Sequence, residues 1–309
     1  MSVSIITYNQ RDYIGQAIDS ALAQETDFPV EVRVGDDFST DGTREVLLAY
    51  RERYPERVRL NLQPERPSGV PGRVNNATNL SSCVGEYIAM LDGDDYWVDR
   101  RKLQKQVDFL DANPGHAGSV HDSLVLEEGQ GPPVDTIAQL HTLGPPAGDT
   151  DFSTDEVFMR LIFQTSSFVF RRRLLPAPLP DWFMRIHSAD VALYLIAAKD
   201  GPLRYMVEPM SVYRRHAAAW MRTVPQLDFW ERAMVERRVF REELGAVPPA
   251  PARASIEILR ARLHFRERHL WQTVLRAGAV MAHHPPTFAR WVGGIVRRRT
   301  NRGVRWPTA

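Results

Sequence analysis

Gly85-Glu86-Tyr87-Ile88-Ala89-Met90-Leu91-Asp92-Gly93-Asp94-Asp95-Tyr96-Trp97 is the stretch on which the fold turns. A glycine breaks whatever precedes it, five apolar residues follow, and three carboxylates then arrive within four positions. A short, continuous apolar run bounded by turn residues has the pattern of a strand buried on both faces, as in a parallel sheet. Such a strand carries the acidic loop to one edge of the sheet.

Toward the N-terminus the same unit recurs. Val3 to Thr7 is a β-branched run closed by Tyr8-Asn9-Gln10, after which Tyr13, Ile14, Ala17, Ile18, Ala21 and Leu22 recur at helical spacing. Val30 to Val34 predicts a second strand ending in Gly35-Asp36-Asp37-Phe38-Ser39-Thr40-Asp41-Gly42-Thr43. A helix is expected over Thr43 to Tyr54, a third strand over Val58 to Leu62, a Pro- and Gly-rich loop over Pro64 to Gly72 and a helix over Val74 to Cys83. This alternation predicts an α/β fold, with a mostly parallel central sheet flanked by helices and a ligand site beyond the carboxyl ends of the strands.

Toward the C-terminus a helix is expected over Leu103 to Ala112 and a strand over Ser119 to Leu126. Glu127 to Thr150 reads as a long irregular loop. Phe168 to Phe170 and Arg204 to Val212 follow as strands, with a helix over Ala189 to Lys199 between them. From residue 226 the pattern is helical, in blocks of roughly 226–244, 253–283 and 286–299. The expected division is therefore an α/β domain over 1–225 and a helical extension over 226–309.

Hydrophobic residues make up 43% and charged residues 25%, an ordinary globular mixture, and the net charge of +1 does not indicate a nucleic-acid partner. A single cysteine, Cys83, excludes an internal disulfide, and no Cys/His spacing suggests zinc. No signal-peptide pattern opens the chain, and no run of about 18 apolar residues occurs, so a cytoplasmic protein without a spanning helix is expected. Phe288, Trp291, Val292, Ile295 and Val296 form an apolar stripe ahead of Arg297, Arg298 and Arg299. This basic amphipathic tail fits peripheral contact with the inner face of a membrane, packing on the first domain, or homo-oligomer formation.

Several side chains are candidates for chemistry. Asp92, Asp94 and Asp95 repel one another at a strand tip. Either Mg²⁺ or Mn²⁺ with diphosphate oxygens relieves that repulsion, or the loop is a solvated turn capping the next helix. Asp36-Asp37 is open in the same way: helix cap, or acceptor for the imide N–H of a uracil or thymine ring. Tyr8 offers a flat face for a base, and Trp97 one for a sugar ring, although aromatics are core material first. Asp190 in the first turn of its helix is stabilised by the helix dipole in any event.

Together Val3-Ser4-Ile5-Ile6-Thr7-Tyr8-Asn9, Asp36 to Thr43 and Gly85 to Trp97 resemble the inverting family 2 glycosyltransferases of the GT-A fold, in that family's order and spacing. Lys102-Leu103-Gln104-Lys105-Gln106 and Met210 to His216 resemble a bacterial subgroup of it. The resemblance implies an enzyme that takes a nucleotide-sugar donor and a divalent metal (Mg or Mn). Thr7, Tyr8, Asn9, Asp36, Asp37, Arg73, Asn75, Asp92, Gly93 and Trp97 would surround the donor. Asp94, Asp95 and His216 would lie at the metal, with Asp190 as general base toward an acceptor that the sequence does not identify. Phe38 departs from the family, which often has glycine there; a positive φ at that position would strain it.

Two rivals stand beside this reading. A sugar-nucleotide nucleotidyltransferase would present a Gly-rich phosphate loop after the first strand, and Tyr8-Asn9-Gln10-Arg11-Asp12 has no glycine. A noncatalytic nucleotide-binding partner would have no need of every acidic position.

Overall fold

A computed structural model describes residues 1–217 except 134, 142, 143, 161 and 162, together with 236, 238–245 and 281; of 158–160 it describes the backbone alone. The first half runs β1 (Ser2–Thr7), α1 (Arg11–Leu22), β2 (Glu31–Asp36), α2 (Thr43–Arg53), β3 (Val58–Leu62), α3 (Arg73–Ser82), β4 (Tyr87–Asp92), β5 (Tyr96–Trp97) and α4 (Lys102–Ala112). It continues through β6 (Gly118–Glu127), β7 (Asp135–Thr136), α5 (Ile137–Leu140), β8 (Thr150–Phe152), α6 (Thr154–Arg160), β9 (Val169–Arg171), α7 (Ala189–Ala198) and β10 (Leu203–Arg215). One sheet joins the strands in the order β3-β2-β1-β4-β9-β6-β10-β5, with β7 on β6 and β8 on β10. Pairing is parallel from β3 to β4, antiparallel on both sides of β9, and parallel again between β6 and β10.

The period-2 alternation of β4 explains the layers. Ala89 and Leu91 point to one face with Val3 and Ile5 of β1 and Val32 and Val34 of β2. There Ile14 and Ile18 of α1, Leu47 of α2 and Leu103 and Leu110 of α4 cover them. Ile88 and Met90 point to the other face, against Leu80 of α3, Val120 of β6, Phe168 and Phe170, and Leu193 of α7. At about 1.5–3 kcal/mol for each fully buried large apolar side chain, these two layers hold the strand ends in register.

The segment from 127 to 150 is not wholly irregular. Thr136 caps α5 in a reciprocal box with Gln139, β7 pairs with β6, and β8 begins at Thr150. These elements are two to four residues long, too short to leave a periodic signal. Met1–Ala246 forms one compact unit. Residues 238–244 are helical, and Phe240 is 2% exposed in the second layer. The expected helical blocks 253–283 and 286–299, including the arginine-rich stripe, lie outside the described residues apart from Met281. Among the described residues no helix is long and apolar enough to cross a membrane.

Candidate active site

Register brings three loops together. Across β1, Thr7 pairs with Asp36 on one side and Ile6 with Asp92 on the other, so both acidic loops leave the sheet beside Tyr8. The β1 loop is knitted to the β2 loop: the Asn9 N–H donates to Ser39 Oγ at 2.8 Å, and Asn9 Oδ1 accepts the Thr40 N–H at 2.9 Å. The Thr7 hydroxyl is turned to Gln10 Oε1 at 2.8 Å. Thr7 and Asn9 thus spend their polar side chains on loop shape.

The two aspartates of the β2 loop part company. Asp36, fully buried, accepts Arg44 Nε–H at 2.6 Å and the Ser39 N–H, so its charge is already answered within the protein. Asp37 accepts the Gly72 N–H at 3.1 Å with Oδ2, while its buried Oδ1 has no hydrogen-bond partner. Burial raises the pKa of the Asp37 carboxyl, opposed by the Gly72 N–H and Arg66. A buried acceptor with nothing to accept is uncommon and marks a place where a ligand N–H fits. Phe38 does adopt φ 65°, and the Arg44 guanidinium lies 5.0 Å from its ring centroid. Tyr8 has the guanidinium of Arg66 4.2 Å from its ring centroid, and its hydroxyl accepts from Arg66 Nη1 at 2.6 Å.

In the acidic loop Gly93 is required by crowding. A Cβ there would stand 2.5 Å from Gln10 Oε1 and 2.9 Å from Thr7 Cβ. Burial pushes the pKa of Asp92 up to about 7, and the charges of Asp94 and Asp190 add to the effect. Asp190, in the first turn of α7, is therefore close enough for its charge to bear on Asp92. Its own pKa is raised, chiefly by desolvation, with the Val191 N–H and Arg73 opposing and Glu236 adding. Asp94 Oδ2 lies 3.1 Å from Nε2 of the buried His216, which follows β10. Asp95 is turned inward at 2% exposure, and its Oδ1 accepts the Arg214 N–H at 2.9 Å. Burial and the neighbouring Asp94 and Asp92 raise its pKa strongly.

Three other expected donor contacts are differently employed. The ring of Trp97 is core, 5% exposed, with Nε1 donating to Ser166 O at 2.7 Å and Lys102 Nζ 4.1 Å from the ring centroid. Pairing of β5 with β10 draws the residue inward, so nearness in sequence to the acidic loop misleads. Arg73 donates to Ile186 O at 3.0 Å and His187 O at 2.7 Å; burial pulls its pKa down to about 10, which leaves it charged at neutral pH. Asn75 Nδ2 donates to Gly35 O at 2.9 Å, holding α3 to β2.

Sequence reading missed Arg66 and Tyr194. The buried Tyr194 hydroxyl lies beside Thr165 and feels the charges of Asp190 and Asp92. Its place four residues after Asp190, on the same helix face, was the available signal. Arg66 lies in a Pro- and Gly-rich loop without periodicity, where no pattern marks it.

Two solved structures share this architecture. Staphylococcus aureus TarS 1-349 in complex with UDP-GlcNAc superimposes with a TM-score of 0.60 at 21% identity, covering 93% of this chain and 82% of the other. The mannosyltransferase PcManGT from Pyrobaculum calidifontis, in complex with GDP-Man and Mn²⁺, gives 0.56 at 20% identity, covering 96% and 79%. Likeness at such identities is likeness of fold. Fold and acidic edge together define a nucleotide-sugar glycosyltransferase of the GT-A type. The family model Glycosyl transferase family 2 matches residues 2–170, more than half of the chain, and the chain belongs to that family. The uncharacterized protein Rv1520 of Mycobacterium tuberculosis is 35% identical over 259 residues, 84% of this chain and 68% of its own.

Proposed function

We propose that the chain transfers one sugar, with inversion, from a UDP- or dTDP-sugar to a hydroxyl or amine of a bacterial glycan, lipid-linked chain or natural product. The observation that carries this reading is the unpartnered Asp37 Oδ1 beside Tyr8, at the same sheet edge as Asp92, Asp94 and Asp190. Asp37 accepts the imide N–H of the base, Tyr8 supplies a face for it, and Asp92 turns to the ribose.

The residues present fit a divalent metal shared with the donor. Among the described residues no three His, Cys, Asp or Glu side chains gather into a metal site. Asp94 and His216 would hold the metal, Asp95 being committed to the Arg214 N–H. When bound, Mg²⁺ or Mn²⁺ supplies charge neutralisation for the departing diphosphate.

Asp190 takes the proton of the acceptor as its oxygen or nitrogen attacks the anomeric carbon from the face opposite the diphosphate. A carboxylate whose pKa is raised by lost water is a stronger base than one in solvent. Proton transfer of this kind contributes about 10²–10⁴-fold to a rate.

The test is a panel of UDP-, dTDP- and GDP-sugars with Mn²⁺, scored by release of nucleoside diphosphate. One uridine or thymidine donor turns over, and Asp94→Asn abolishes turnover while melting as the parent does. Pyrophosphate release from a nucleoside triphosphate, or full activity of Asp94→Asn, overturns the reading.

A further inference from the structure

The helix that follows the catalytic sheet reaches back into the site. Glu236 is 4% exposed, and its Oε1 accepts the backbone N–H of His187, 49 residues earlier, and that of Ser188 at 3.3 Å. The same oxygen lies 3.4 Å from His187 Nδ1. Ser188 is the N-cap residue of α7, yet its side chain makes no capping hydrogen bond. A carboxylate from a distant segment therefore satisfies the amides that lead into the helix carrying Asp190.

Arg73 holds the same short segment from the opposite chemical side. Its Nε donates to Ile186 O and its Nη2 to His187 O, and its guanidinium stands 5.1 Å from the ring centroid of Phe183. Residues 186–188 are thus gripped by a cation on their carbonyls and an anion on their amides, both 4% exposed. Burying two charges is costly unless each finds good partners. The segment so held leads directly into Asp190.

We propose that Glu236 is a positioning residue for Asp190, fixing the start of α7 so that the carboxylate stands at the acceptor, and that the helix around Glu236 is therefore part of the catalytic unit. The proposal rests on the reading of Asp190 as general base. Asp190 is faced by Arg73 of α3, Asp92 of β4, Tyr194 of its own helix and Glu236. Among these, Glu236 and Arg73 engage the backbone ahead of α7.

The experiment is a double-mutant cycle in the full chain, reading nucleoside diphosphate release from the donor that turns over in the panel, with Mn²⁺. Glu236→Ala lowers kcat about tenfold with donor KM within about twofold, since a small misplacement of a reacting group is enough for such a loss. Glu236→Gln, which keeps the accepting oxygen, stays within about threefold of the parent, and Glu236→Ala adds less than about twofold to the defect of Asp190→Asn. The proposal is overturned if Glu236→Ala turns over like the parent, raises donor KM in step with its loss of kcat, or costs as much in the Asp190→Asn background. If Asp190→Asn itself keeps the parent's kcat, the general-base reading has failed, and that result is separate from any outcome at Glu236. Should Glu236→Ala fail to fold, Glu236→Asp, which keeps the charge and shortens the reach, replaces it in the cycle under the same criteria.

Discussion

Asp37 has one carboxylate oxygen bonded to the Gly72 N–H and the other buried without a donor. In Asp37→Asn the amide keeps a single accepting oxygen, so Gly72 and a base imide compete for it and the loser faces an N–H. Leaving one such buried group unsatisfied costs about 1–3 kcal/mol, which corresponds to about 5- to 150-fold weaker UDP binding by calorimetry. Unchanged affinity would remove Asp37 from the base site. Asp36 shows why an acidic pair is only half legible in sequence. Its neighbour eight positions on, Arg44, claims its charge, and nothing in the order of residues says which aspartate will be claimed. Trp97 makes the same point: its position after the acidic loop was visible, but the β5 and β10 pairing that buries it was not.

Among the elements, β1, β2, β4, α1 and α2 were readable because each is a local run with its own period and its own stop. The meeting of their loops was readable too, since parallel strands put their carboxyl ends on one edge. β5, β7 and β8 were not, being two or three residues long and held by partners distant in sequence. The contact of Glu236 with the amides before α7 belongs to the same class. Gly93 ties sequence to element packing directly. Gly93→Ala would drive a methyl group against Gln10 and Thr7 and push the acidic loop away from the end of β1. Overpacking of this kind costs typically about 1–3 kcal/mol. The expected result is a lowered melting temperature together with reduced turnover and weaker donor binding, because Asp92 and Asp94 move with the loop. A Gly93→Ala protein with the parent's melting temperature and rate would show that the loop has room the structure denies it.

For the molecule as a whole, the acidic edge trades stability for function. Folding raises the Asp92 pKa from an ordinary carboxylate value to about 7, through burial first and the charges of Asp94 and Asp190 second. Between the two values the folded chain keeps a proton that the unfolded chain has released, so stability falls as pH rises through that window. Above about 7 the charged form persists in the fold, and its full cost is present. In the absence of metal and nucleotide, Asp92→Asn removes this cost. Its melting temperature should exceed the parent's at pH 8 and converge with it near pH 4, where both side chains are neutral. Adding Mn²⁺ and UDP should reverse the order at pH 8, because a ligand that binds the native state of the parent more tightly stabilises it more by mass action. Melting curves for the two proteins from pH 4 to pH 8, with and without Mn²⁺ and UDP, measure both effects. Parallel dependence on pH in the ligand-free pair would mean that the carboxylate is better solvated than its surroundings in the fold imply, and the trade would have to be sought elsewhere in the loop.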